Sequence, residues 1–153
     1  METIVNGYFD EIELWDTAYF GNPIITDNTI IIPTRNITLY EGHPLNHTGN
    51  RMLLPEGKLC FSGVRRSERD IAEYIGDPKS GKGFKPAYKI IDGLFTKVDR
   101  PVTNFWIEGI SENPSAWITW EIESVSFCLK IPEITENPVV DRTAKTKTIN
   151  LFA

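Results

Sequence analysis

The side chains able to do acid–base, nucleophilic or metal chemistry are few, and their spacing decides what each could do. The two histidines, His43 and His47, lie four apart with Glu41 close by, a donor set that suits a catalytic zinc. Gly42 and Pro44 deny them a regular helix, so both read as solvated side chains and no metal site is assigned. A Ser/His/Asp or Cys/His relay would have to use one of these two residues, and no G-x-S-x-G elbow occurs. The run Gly76-Asp77-Pro78-Lys79-Ser80-Gly81-Lys82-Gly83 nearly spells a phosphate-binding loop. Gly83 stands where Ser or Thr must bind magnesium, and Phe84-Lys85-Pro86 is a poor helix start. No nucleotide, metal or other cofactor is therefore expected.

Carboxylates offer more. Glu121 and Glu123 are two apart within an alternating run, as are Glu11 and Glu13, so a regular strand would put each pair on one face. Paired acids of this kind can cleave a glycosidic bond if one of them stays protonated. More simply, they form the polar face of a half-buried strand, able to meet a basic partner. Of the four tryptophans, Trp120 is in phase with Ile118 and Ile122 and belongs to the core. Trp15 and Trp117 fall in the acidic phase. Glu11, Glu13, Trp15, Trp117, Glu121 and Glu123 are thus the candidate binding residues, and none is assigned a catalytic role. Aromatics beside carboxylates suit a protein-binding hot spot or, in the alternative reading, stacking against a sugar in a carbohydrate-binding module or hydrolase. Cys60 and Cys128 sit in apolar, strand-like contexts with no zinc or redox spacing, and read as reduced, buried thiols.

The elements that must position these residues are strands. Period-two alternation of β-branched and aromatic residues between turn signals dominates the chain. Asp27-Asn28 reads as a turn between Ile24-Ile25 and Thr29–Ile32, and Pro33 should end that segment or place it on an edge. The apolar phase of the run 117–131 slips by one residue near Glu123-Ser124, which calls for a bulge or a crossing between sheets. Residues 67–76, with Ser67 as a cap and Gly76 and Pro78 as stops, are the one helix candidate, the other option being an extension of the preceding strand into a hairpin. The expected fold is mainly β: one antiparallel β-sandwich or open barrel of about eight strands spanning 1–153, with at most one short helix near 67–76. A polar loop is expected at 76–89 and a mobile segment at 133–147.

Composition sets the outer limits. The 153 residues carry a net charge of −5, and the pI near 5.1 argues against nucleic-acid binding through phosphate neutralisation. Residues 1–50 are strongly acidic, with Arg35 their one basic residue, whereas residues 51–100 carry the basic excess. Such separation can steer a charged partner. No apolar run is long enough to span a membrane. Met1–Asn6 lacks a basic n-region and an apolar h-region, so a cytoplasmic location is expected. In size, acidity and strand content the chain resembles small acidic bacterial proteins, immunity proteins that neutralise toxin domains among them. That resemblance, carried by no motif, implies a non-enzymatic protein whose acidic strand faces cover a basic surface on another protein.

Overall fold

The computed structural model describes residues 2–14 and 18–132; Trp15 and the segment 133–147 lie outside them. Among the described residues the fold is mainly β, a single mixed sheet of nine strands. They are β1 (Thr3–Asn6), β2 (Ile12–Glu13), β3 (Tyr19–Phe20), β4 (Ile24–Thr26), β5 (Thr29–Leu39), β6 (Met52–Glu73), β7 (Tyr88–Ile91), β8 (Thr103–Glu112) and β9 (Ser115–Ile131). Among the described residues the helical turns are three-residue 3-10 segments at Phe9–Glu11 and Pro78–Ser80. Pairings run β9–β8–β3–β5–β6 and return to β9, so the strands curl around one core, with β1, β2, β4 and β7 as branches. All are antiparallel except β3 with β8, a short parallel pair.

Two long strands organise everything else. β6 pairs with β9 from Lys58 to Glu73, while its first half, Met52 to Ser62, holds β5 and its last part holds β7. The alternation around Trp120 is the one the sequence dictates: Ile118, Trp120 and Ile122 are buried, and Thr119, Glu121 and Glu123 are not. The slip in phase lies between Ser124 and Phe127, both buried three residues apart. Opposite it, β6 shifts register between Val64 and Arg66. Gly63 makes this possible, because its φ is +66° and a Cβ there would stand 2.6 Å from Val125 Cγ2. Asn28, in the β4–β5 turn, fastens the same place through its side-chain amide to Val64 O at 2.9 Å and its own carbonyl to Val64 N–H at 2.8 Å.

Residues 67–73 take the second of the two options left open, continuing β6 as strand that pairs with β7, with no helix, while one local expectation, at Pro33, is corrected. Ser67 points inward as part of a buried polar cluster rather than capping a helix, and β7 and β9 supply the ladder partners that outweigh a marginal two-turn helix. Pro33 does not end its strand. Its carbonyl accepts from Gly21 N–H at 2.8 Å, so its missing N–H faces the gap between β4 and β3, where no ladder donor is needed.

The core has two aromatic centres. Phe9, Phe61, Phe105 and Phe127 meet edge-on or tilted at centroid distances of 4.9–5.9 Å. Farther along, the Trp120 ring meets Phe20 at 6.2 Å. Trp120 Nε1–H donates to Ser67 Oγ at 2.8 Å, and Ser67 Oγ–H donates to Asp92 at 2.7 Å. Arg69 closes the cluster with two hydrogen bonds to the Asp92 carboxylate, its guanidinium lying 4.8 Å from the Trp120 ring centroid. A buried polar group costs free energy unless paired; here the four side chains satisfy one another.

Candidate binding surface

Register alone places the candidate residues relative to one another. Directly opposed residues of adjacent strands share a face, so one outward row runs Ile91, Glu68, Glu121, Trp106 across β7, β6, β9 and β8. The row on one side is Arg66, Glu123, Asn104. The rows on the other side are Lys89, Asp70, Thr119, Glu108 and then Ala72, Trp117, Ile110. Within this face Trp106 is 54% exposed and Ile91 68%, large apolar groups held on regular strands, while Trp117 is half-buried.

The acids are not free. The Arg66 guanidinium lies 3.0 Å from Glu68, 3.1 Å from Glu121 and 3.3 Å from Glu123. Arg65 reaches Glu123 at 2.9 Å, and Lys89 reaches Glu68 at 3.3 Å and Asp70 at 3.6 Å. The Arg66 and Lys89 hydrogen bonds hold the Glu68 carboxyl below its usual range, and in return Glu68 raises both cations. Arg66 thus sits between Glu121 and Glu123 and pairs with both on an open strand face.

Glu11 and Glu13 occupy different ground. Glu11 lies in the 3-10 turn, and its carboxylate accepts from Gly42 N–H at 3.1 Å, tying down the loop after β5. Glu13 pairs with Arg51 at 3.4 Å. Burial and the neighbouring Glu13 raise the Tyr40 hydroxyl pKa. A cleft of about 300 Å³ lined by Glu13, Tyr40, Trp106 and Glu108 joins this region to the outer face. The structure thus brings Trp117, Glu121 and Glu123 onto one face, connects Glu13 to it through Trp106, and leaves Glu11 outside. Trp106 is the residue sequence reasoning missed. The signal was present, since Phe105 and Ile107 take the core phase and leave Trp106 with Asn104 and Glu108.

Other candidates resolve differently. His43 is 1% exposed rather than solvated. Its Nδ1 accepts from Leu45 N–H at 3.2 Å, its ring meets Tyr8 edge-on, Nε2 has no hydrogen-bond partner among the described residues, and burial lowers its pKa. The loop is tight because Asn46, also buried, places its amide nitrogen 3.0 Å from Leu39 O and 2.7 Å from Asn50 O. His47 is exposed, and among the described residues no cluster of three His, Cys, Asp or Glu could hold a metal. The glycine- and lysine-bearing loop folds as an exposed 3-10 turn capped by Asp77, which accepts from Lys79 N–H at 2.9 Å. Both cysteines are free: Cys60 is buried as expected, but Cys128 is half-buried. A groove of about 380 Å³ carries both charge signs on Arg35, Lys58, Glu56 and Glu112, with Pro132 also in its lining. Among the described residues no helix is long and apolar enough to cross a membrane. Comparison with protein-family models, curated proteins and solved structures returns no match.

Proposed function

We propose that this chain is a non-enzymatic protein-binding module that engages a basic partner protein through the outer face of β6, β9 and β8, with Trp106 at the centre of contact. The observation that carries this reading is Trp106 itself. It is a half-exposed indole on a regular strand, in one row with Glu121, Glu68 and the exposed Ile91. Tryptophans dominate binding hot spots, and a side chain fixed on a sheet loses little freedom on association. The face is net acidic, with Glu68, Asp70, Glu108, Glu121 and Glu123 against Arg65, Arg66 and Lys89. Surface ion pairs within the chain are weak, so a partner's lysines and arginines can compete for these carboxylates and speed encounter. The resemblance to immunity proteins points the same way, toward a basic protein domain as partner. The test is affinity capture from the native host with wild-type and Trp106→Ala baits, quantified by mass spectrometry. A protein held by the first bait and lost at least tenfold from the second supports the reading; equal recovery on both contradicts it.

The cleft favours a second reading. Trp106 and Tyr40 with Glu13 and Glu108 provide an aromatic platform and acceptors, the composition a carbohydrate-binding site needs. A glycan array separates the two readings: saturable binding lost in both Trp106→Ala and Tyr40→Ala selects the sugar.

A further inference from the structure

The two cysteines of the chain, far apart in sequence, are brought face to face. Cys60 of β6 and Cys128 of β9 are direct partners in an antiparallel ladder whose flanking pairs, Leu59 with Leu129 and Phe61 with Phe127, are buried. We propose that Cys60 and Cys128 form an oxidation site, which a hydroperoxide converts into an intramolecular cross-strand disulfide stapling β6 to β9.

Distance permits it. Directly opposed residues of an antiparallel pair have Cα atoms about 4.5–5.5 Å apart, within the roughly 4.4–6.8 Å that disulfides span. Their side chains leave the sheet on the same face, so neither strand has to turn over. The two thiols also interact: burial and the neighbouring Cys128 push the Cys60 thiol up to about 11.

Unequal exposure sets the order of events. Cys128 is half-buried and meets the oxidant, whereas Cys60 is buried and protonated and is shielded from it. The Cys128 sulfur attacks one peroxide oxygen; an S–O bond forms, the O–O bond breaks, and the departing oxygen takes up the Cys128 thiol proton and leaves as water or alcohol. Cys60 sulfur then attacks Cys128 sulfur. The S–S bond forms, the S–O bond breaks, and hydroxide leaves with the Cys60 proton as water. Two thiols lose two electrons and the peroxide gains them. The new bond closes a loop of about 70 residues, whose constraint on the unfolded chain raises the melting temperature.

The experiment treats the fully reduced native chain with hydrogen peroxide, removes the excess, and reads intact mass, a non-reducing peptide map and thermal unfolding. The expected result is a monomer two hydrogens lighter, a Cys60–Cys128 linked peptide, and a Tm higher by about 5 °C or more that dithiothreitol reverses. Cys128→Ser and Cys60→Ser should each abolish the mass loss and the Tm rise. An unchanged mass, oxygen added to Cys128 with no bridge, or a linkage only between two chains would overturn the proposal. These readouts need no partner, so they stand or fall independently of the binding reading.

Discussion

Removing the Asp92 carboxylate should be the most damaging single change to the fold short of the apolar core. Asp92 is 4% exposed and accepts hydrogen bonds from Ser67 Oγ at 2.7 Å, Arg69 Nε at 3.1 Å and Arg69 Nη2 at 2.5 Å. Asp92→Ala strands a guanidinium whose side chain is 18% exposed and leaves the Ser67 hydroxyl without its acceptor. Breaking one side of a buried ion pair costs about 3–5 kcal/mol. Arg69 lies near enough to the surface to recover some water, which brings the expectation to about 2–4 kcal/mol, a large part of the 5–15 kcal/mol typical of a domain. Arg69→Met should cost a similar amount, since it leaves the carboxylate buried and alone. The double variant Asp92→Leu/Arg69→Met should cost less than the sum, because removing both charges restores a neutral interior. Urea unfolding followed by tryptophan fluorescence measures all three. A loss below about 1 kcal/mol in Asp92→Ala, or strict additivity in the cycle, would refute the view that this cluster acts as one unit.

Three further outcomes are expected. Gly63→Ala should lose about 1–3 kcal/mol in the same assay, because φ is +66° and the new Cβ would meet Val125. Burial holds the His43 pKa below its ordinary 6.5, so as pH falls the unfolded chain takes up the proton first. The stabilisation is whole above about pH 6.5 and drains away as pH drops toward the folded-state value. His43→Asn, which keeps an acceptor for Leu45 N–H, should flatten the slope of unfolding free energy between about pH 7.5 and 5.5. Glu121→Gln/Glu123→Gln removes two partners of Arg66 and should shift stability by no more than about 1 kcal/mol, checked by thermal melting. Charge reversal at Glu121 and Glu123 should cost more than the glutamine changes, because the new positive charges would face Arg65 and Arg66.

Local signals made most strands legible. The alternation of Ile118, Trp120 and Ile122 against Glu121 and Glu123 placed β9 and its faces, and Asp27-Asn28 marked the β4–β5 turn, where Thr26 pairs with Thr29. What stayed hidden depended on partners distant in sequence. Ser67 looks like a helix cap until Trp120 and Asp92 are placed beside it. Pro33 looks like a strand end until a gap between two neighbours receives it. His43 looks solvated because nothing local reveals the Asn46 contacts that fold its loop inward. The candidate surface was half legible: phase found Trp117, Glu121 and Glu123 and could have found Trp106. The arginines that neutralise the acids come from a register shift in β6, and the connection to Glu13 comes from the curl of the sheet.

The most direct measurement of the central claim is association kinetics with the captured partner, comparing wild type, Trp106→Ala and Glu121→Gln/Glu123→Gln at low and moderate salt. Trp106→Ala should weaken binding about thirtyfold, the effect of roughly 2 kcal/mol at a hot spot, mainly through faster dissociation. The double glutamine variant should associate more slowly at low salt, with a shallower salt dependence. Wild-type affinity and on-rate in both variants, with each chain folded, would contradict the assignment of binding to the outer face of β6, β9 and β8.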